Sequence, residues 1–366
     1  LAGISLSEQS ERVRQLADAE ALRPFSLQDG PLIRATLLIL SADEHVLLMT
    51  MHHIVSDGWS IGLIGRELSI LYAAFLRGQP SPLEELDIQY ADFAHWQRQW
   101  LQVPEYQAQL GYWRQHLQGA PGVIELQTDR PRPPVQSYRG KTEVAFVDDQ
   151  TRQQLHGLGR QAGTTLFMTL LAAFAILMRR YSDQEDLVIG TPIANRNRPE
   201  AESLIGFFAN TLPLRLDLSG DPDFKTLLRR VHGTTIGAYE NQDIPFEKII
   251  EELNIERDLS RNPLVQAVFV LQNAPLHASG SSSAGLENIL IEPVAFETGT
   301  VRLDMEVHVW EENSGLKVEF IYNTDLFDAD TIARMAANYT NLLQLIAADP
   351  EQRVSQVPIL AAAERD

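Results

Sequence analysis

The 366-residue chain contains no cysteine. This absence excludes disulfide bonds, thiolate nucleophiles and zinc–thiolate sites. Basic residues are also few, since 49 aspartates and glutamates stand against 30 lysines and arginines and give a formal charge of −19. Such a charge repels a phosphate backbone, so we expect no nucleic-acid partner. No uninterrupted apolar run approaches the roughly 18 residues of a membrane helix, and no signal-peptide pattern opens the chain, so we expect a soluble, cytoplasmic protein without a membrane partner.

Helix and strand patterns alternate along the chain, which is typical of the α/β class. A hydrophobic content of 44% is enough for a sizeable core. Residues 166–181 are apolar around most of the helix surface and predict a buried central helix. The aromatic residues of 90–117 predict packing in a core rather than a ligand site. A proline cluster at 131–134 resists helix and central strand, so we divide the chain into lobes at 1–134 and 135–355.

The most informative segment is 51–59, which holds two adjacent histidines, an aspartate and a glycine. The apolar residues 46–51 before it predict a strand covered on both faces. Because successive strand side chains point to opposite faces, only one of His52 and His53 can face a cavity. An imidazole exchanges protons near neutral pH, so that histidine is a candidate acid–base residue and the other is structural.

Asp57 and Gly58 follow the histidines. The pair predicts a tight turn, because glycine adopts backbone angles that are closed to other residues. Asp57 can orient the loop by an ion pair with an arginine, or it can bind a histidine ring; we favour the ion pair. The sequence leaves four arginines open as the partner: Arg34, Arg257, Arg261 and Arg302. A helix over 60–76, with Ser60 as its cap, is expected to follow the turn.

Neither a metal ion nor a bound phosphate cofactor is expected at this segment. Adjacent strand residues diverge, and Asp57 alone is a poor third ligand, so we predict no metal site. No glycine-rich run precedes a Lys-Ser or Lys-Thr pair, so we predict no phosphate loop and no cofactor held by the chain itself.

These residues resemble the condensation domains of nonribosomal peptide synthetases. Residues 52–58 reproduce that family's HHxxxDG motif, and five further blocks match the family in the right order. These blocks are residues 24–34, 90–96, 205–211, 241–247 and 257–264. The resemblance covers essentially the whole chain.

The resemblance implies two lobes like chloramphenicol acetyltransferase, arranged as a V-shaped pseudodimer with a central tunnel. It implies an upstream donor and a downstream acceptor peptidyl carrier domain, whose 4′-phosphopantetheine arms enter the tunnel. Residues 356–366 resemble the start of a linker into an adenylation domain, which would be a further partner. By the same resemblance the family's opening helix is missing, so we expect a chain truncated at its N-terminus.

The reaction that the resemblance implies is peptide-bond formation between two carrier-bound thioesters. His53 is then the catalytic residue, as a general base or as a hydrogen-bond partner of the attacking amine. His52 and Asp57 are expected to hold the loop, and Gly58 to leave room near the oxyanion. A second group is expected to support the tunnel or the lobe interface: Trp59, Ser60, Asn210, Thr211, Asn241, Gln242, Arg257 and Arg261.

Two alternatives stay open on the same fold. One is an epimerisation domain, and the other is a non-catalytic module that binds carriers or a tailoring enzyme. Degenerate modules of the second kind tend to lose the second histidine, which is present here as His53. Residues 271–275 and 297–304 resemble domains that join an L-configured donor to an L-configured acceptor, with a D-donor subtype as the competitor.

Overall fold

A computed structural model describes residues 1, 3–256, 258–272, 289, 294 and 299–358. It confirms the predicted α/β class. The helices are α1 (Leu6–Leu22), α2 (Gly58–Leu76), α3 (Tyr90–Trp100), α4 (Pro104–His116), α5 (Asp149–Ala162), α6 (Leu166–Ser182), α7 (Pro199–Glu202), α8 (Phe224–Glu240), α9 (Phe246–Glu252) and α10 (Ala329–Ala348). The strands are β1 (Ile33–Ile39), β2 (His45–Met51), β3 (Gly140–Asp148), β4 (Asp186–Ile193), β5 (Asn210–Asp217), β6 (Ala267–Gln272), β7 (Met305–Glu312) and β8 (Gly315–Asn323).

The chain forms two compact units that are discontinuous in sequence. The first contains Leu1–Trp96 and Arg196–Phe208, and the second contains Gln97–Asn195, Ala209–Asn273 and Gly299–Asp366. The lobe boundaries at 1–134 and 135–355 stay a prediction, as does the V-shaped arrangement.

In the first unit, β1 and β2 form an antiparallel hairpin. Val13 of α1 packs with Leu38 and Leu40 of the hairpin region in a small core. Strand β2 was predicted to be covered on both faces, and this prediction was wrong, because Leu47 is 52% exposed. Among the described residues β2 pairs only with β1, and α1 covers one side of the hairpin.

The second unit is built on a six-stranded mixed sheet in the order β3-β8-β7-β6-β4-β5. Strand β6 runs parallel to both β4 and β7, and the other neighbours are antiparallel. Helix α6 is buried along most of its length, as its apolar sequence predicted, and contacts α5, α8 and α10. The large core of the described chain therefore lies in this unit.

Strand β5 was not predicted from the sequence. Pro213 lies in its middle, opposite Gly190 of β4, and a proline argues against a central strand. The strand is at the edge of the sheet, where a residue without an N–H donor is tolerated.

By length and composition, α2 is one candidate membrane span among the described residues, with a mean hydropathy of 1.2. Helices α5 and α6 pass the same test only when joined across a bend of 104°. A single helix of this kind is weak evidence, and α2 carries Arg66 and Glu67 near its middle.

Candidate active site

The two motif histidines lie where the hairpin ends. Strand β2 ends at Met51, and His53–Val55 form one turn of 3₁₀ helix. The backbone of His52 is still extended, its Nδ1 accepts a hydrogen bond from Ile54 N at 3.1 Å, and its ring meets Phe25 edge-on. The strand-alternation argument therefore does not apply to this pair, because the chain leaves the strand before His53.

His53 is exposed, and the contact of its Nδ1 favours one tautomer of the ring. Its Nδ1 lies 2.6 Å from the carbonyl oxygen of Ser56. A carbonyl oxygen only accepts hydrogen bonds, so we assign the proton to Nδ1. In the neutral imidazole Nε2 then carries a lone pair that can accept a proton or a hydrogen bond. The ring is in tilted contact with Phe207, with the ring centroids 4.7 Å apart.

The predicted ion pair of Asp57 exists, and its partner is Arg196. Arg196 Nη2 lies 3.2 Å from Asp57 Oδ1, and each side chain is only 2% exposed. Asp57 also caps α2 by accepting from Ser60 N at 2.8 Å, and it accepts from Phe208 N at 3.0 Å. Burial raises the pKa of Asp57, but these hydrogen bonds and the arginine outweigh burial and hold the pKa below its usual value.

Arg196 was not among the four arginines considered. Arg34 pairs with Glu20, Arg261 with Asp258 and Arg302 with Glu306, whereas Arg257 lies outside the described residues. Arg196 is 139 positions from Asp57, and it comes just after β4 in a short polar segment, 195–198. Polar residues at the end of a buried strand were the one local signal that could have identified it.

Ser60 lies inside the first turn of α2, so the prediction that it caps this helix was wrong. Its buried hydroxyl donates to Gly206 O at 2.9 Å, and it accepts from Gly206 N at 3.1 Å and from Arg196 Nη2 at 2.9 Å. Together with the bond from Phe208 N to Asp57, these contacts fix the segment 206–208 beside the start of α2.

Gly58 is the first residue of α2, and the predicted tight turn is absent there. Its φ is not in the left-handed region, and a Cβ at this position would meet no atom within 4 Å. The capping carboxylate of Asp57, rather than glycine's backbone freedom, ends the loop. The neighbouring Trp59 donates its indole N–H to Glu202 O at 3.0 Å.

Tyr90 of α3 packs against the segment 206–208. Its hydroxyl donates to Phe207 O at 2.7 Å, and its ring meets Phe208 edge-on. A Cβ on Gly206 would lie 2.2 Å from Tyr90 Cδ2, so only glycine fits under this ring. Phe93 and Phe208 form a small core here, which confirms that aromatic residues of α3 pack rather than line a ligand site.

Asn210 and its neighbours in the second unit have structural contacts. The amide nitrogen of Asn210 donates to Gln242 O and Ile244 O, and its oxygen accepts from Thr211 N and Phe246 N. These bonds engage both amide protons and two oxygen lone pairs of Asn210, which therefore joins β5 to the loop before α9.

Asn241 and Arg261 also belong to the second unit. The side-chain amide of Asn241 donates to Gly237 O at 2.8 Å, and the backbone carbonyl of Asn241 accepts from Trp113 Nε1 at 2.7 Å. Arg261 Nε lies 3.1 Å from Asp258. Of the predicted site residues, the structure brings His53, Asp57, Trp59 and Ser60 together with the segment 196–208.

Comparison with known proteins identifies the family. A family described as the condensation domain matches residues 1–366. A linear gramicidin synthase from Brevibacillus parabrevis is 46% identical over 368 residues, which cover 99% of this chain and 7% of that protein. Malpinin synthetase from Mortierella alpina is 44% identical, over 98% of this chain and 5% of that protein. The chain thus spans only a small part of these relatives.

Solved structures share the fold. The X-domain from teicoplanin biosynthesis superposes with a TM-score of 0.88 at 30% identity, over 98% of this chain and 80% of that chain. The first condensation domain of the calcium-dependent antibiotic synthetase gives a TM-score of 0.73 at 18% identity, over 99% and 77%, which shows the fold alone. The sequence blocks, the mixed α/β fold and these matches agree that the chain belongs to the condensation-domain family of nonribosomal peptide synthetases.

Proposed function

We propose that this domain forms a peptide bond between a donor acyl or peptidyl thioester and an acceptor aminoacyl thioester. Both substrates would be carried on the 4′-phosphopantetheine arms of carrier domains. The observation that carries the proposal is the exposed imidazole of His53, whose Nδ1–H is bound by Ser56 O and whose Nε2 keeps a lone pair. The synthase and synthetase relatives support this reaction class.

The reaction needs one lone pair close to the attacking amine, which can accept the proton of that amine. The neutral amine of the acceptor attacks the thioester carbonyl, a C–N bond forms, and the C–S bond breaks. The proton that the amine loses goes to Nε2 of His53 and then to the departing thiolate, so the products are an amide and a free thiol arm. A hydrogen bond from the amine to Nε2 would use the same lone pair to position the nucleophile.

The other motif residues support His53 without touching the reacting atoms. Asp57 is ionised and engaged by Arg196, Ser60 and Phe208. His52 packs on Phe25 and is structural in this proposal. Gly58 is exposed with open space around it, so we propose that it leaves room for the thioester carbonyl next to the first N–H groups of α2.

The partners that we propose are an upstream donor and a downstream acceptor carrier domain, with an adjacent adenylation domain. A four-domain nonribosomal peptide synthetase, AB3403, supports this setting with a TM-score of 0.85 at 25% identity, over 99% of this chain and 28% of that chain. We keep the L-donor, L-acceptor subtype and a cytoplasmic location as part of the proposal. Residues 273–275, 297 and 298, which contribute to the subtype resemblance, lie outside the described residues.

A second candidate function is a non-catalytic docking module. A complex of the X-domain with OxyB from teicoplanin biosynthesis matches with a TM-score of 0.85 at 32% identity, over 96% of this chain and 78% of that chain. A docking role would make His53 dispensable. The epimerisation alternative would instead produce racemised carrier-bound residues, which chiral analysis of the products detects.

The test is dipeptide formation in a two-module synthetase that contains this domain. We expect His53→Ala to lower the rate at least about a hundredfold, in the range of general acid–base catalysis, with carrier loading unchanged. His45→Ala is the matched control, because it removes an exposed histidine at the start of β2, the strand that leads to His53. A wild-type rate in His53→Ala would refute the catalytic assignment and favour the docking module. Donors of L and D configuration, compared in the same assay, test the subtype.

A further inference from the structure

Each histidine of the motif has its own aromatic neighbour. The His53 ring meets Phe207, with centroids 4.7 Å apart and planes tilted by 58°. The His52 ring meets Phe25 edge-on, with centroids 5.9 Å apart. Aromatic contacts at these separations favour particular ring orientations beyond their burial of surface. Two adjacent histidines thus each contact one phenylalanine, so the effect of removing one phenylalanine can be compared with the effect of removing the other.

The backbone on both sides of Phe207 is fixed by hydrogen bonds. Gly206 is bound through its N–H and its carbonyl by Ser60, and the N–H of Phe208 is bound by Asp57. The carbonyl of Phe207 itself accepts from Tyr90. With its backbone held in this way, the Cα–Cβ bond of Phe207 has a fixed direction, although the residue is exposed.

We propose that Phe207 is a positioning residue for His53. The Nδ1 edge of the imidazole is held by its bond to Ser56 O, and the ring is also in tilted contact with the Phe207 ring. Together the two contacts restrict both side-chain torsions of His53, so that Nε2 keeps one orientation toward the acceptor amine. Asp57 acts on His53 through this chain of contacts. The inference rests on the proposed function, in which Nε2 of His53 is the working atom.

The first measurement is the rate of dipeptide formation in the two-module synthetase. We expect Phe207→Leu to lower kcat about tenfold, which corresponds to about 1.4 kcal/mol, and to leave the KM for the acceptor carrier unchanged. Phe207→Tyr keeps the aromatic ring, so we expect it to have a rate close to that of the wild type. Phe25→Leu is the matched control, since it removes the aromatic neighbour of His52, and it leaves the rate at the wild-type level. Thermal unfolding of all three variants confirms that they fold.

The second measurement is independent of activity. In the 366-residue chain labelled with ¹⁵N-histidine, the His53 signals are assigned by their loss in His53→Ala. We expect a protonated Nδ1 and an unprotonated Nε2 in the neutral wild-type ring, and a mixture of the two tautomers in Phe207→Leu, because a ring that can rotate also leaves Ser56 O. An unchanged His53 spectrum in Phe207→Leu overturns the positioning role, whatever the rate.

A changed spectrum with a wild-type rate also overturns it, because the orientation would then not matter to the reaction. A wild-type rate in His53→Ala refutes the proposed function instead, so the two failures are distinguishable.

Discussion

We expect substitution of either member of the Asp57–Arg196 ion pair to lower the free energy of unfolding strongly. Both side chains are 2% exposed, so removal of one partner leaves a buried charge without its counter-ion. We expect Arg196→Met to lower the free energy of unfolding by about 3–5 kcal/mol, since methionine keeps an apolar side chain but removes the guanidinium that pairs with Asp57 and lies 4.0 Å from the centroid of the Phe208 ring. Urea unfolding followed by circular dichroism measures this loss.

The exposed pair of Lys248 and Glu251 provides the control. Its side chains are 40% and 69% exposed, so Lys248→Ala should cost at most about 1 kcal/mol. In the double variant Arg196→Met with Asp57→Asn, neither charge remains buried, so the loss should be clearly smaller than the sum of the two single losses. A cost for Arg196→Met as small as that for Lys248→Ala would refute the reasoning, because burial would then not govern the pair.

The pH dependence of Asp57 follows from its lowered pKa. Its stabilising contribution is present above its unfolded pKa of about 3.8 and is lost as the pH falls through the lower folded value, so the deficit of Asp57→Asn should shrink only in strong acid. Glu306 is a second case: burial raises its pKa, but its histidine and arginine neighbours lower it to about 2, so Glu306→Gln should remove stability that the wild type loses between about pH 4.5 and 2. Gly206→Ala should cost about 1–3 kcal/mol, because its Cβ would displace the ring of Tyr90, whereas Gly65→Ala in open space on α2 should be neutral or stabilising. Gly58→Ala should leave the unfolding midpoint unchanged and lower the rate of dipeptide formation, if the open space at this position receives the substrate.

Local patterns predicted helices over 60–76 and 166–181. The structure has these helices as α2 and α6 with ends within two residues of the prediction, because apolar periodicity depends on near neighbours in sequence. The errors in the predicted elements occur where contacts between distant segments determine the local structure. Strand β5, which contains Pro213, was not predicted, and it is at an edge of the sheet, where proline is tolerated. The start of α2 was placed at Ser60, although the carboxylate of Asp57 caps it.

The composition of the site was less predictable than its motif. The sequence indicated that Asp57 pairs with an arginine, and the structure confirms the pair but supplies it from 139 positions away. A one-dimensional pattern has no information on which distant segment returns to a loop, since charge alone does not distinguish one arginine from another. Burial does distinguish them, because Arg196 is 2% exposed whereas Arg302 is 68% exposed.

The position of Asp57 in the motif now has a physical explanation that does not require it to touch the substrate. One carboxylate oxygen binds the N-terminus of α2, and the other binds Phe208 N, so a single side chain joins the helix to the segment 206–208. Arg196 neutralises this carboxylate and binds Leu204 O, just before that segment, at 2.7 Å. A neutral side chain could not satisfy all these donors at once, since an amide has one acceptor atom and a carboxylate has two. The aspartate is therefore required by the geometry that places Phe207 against His53, and its substitution should change the orientation of the His53 ring as well as the stability of the first unit.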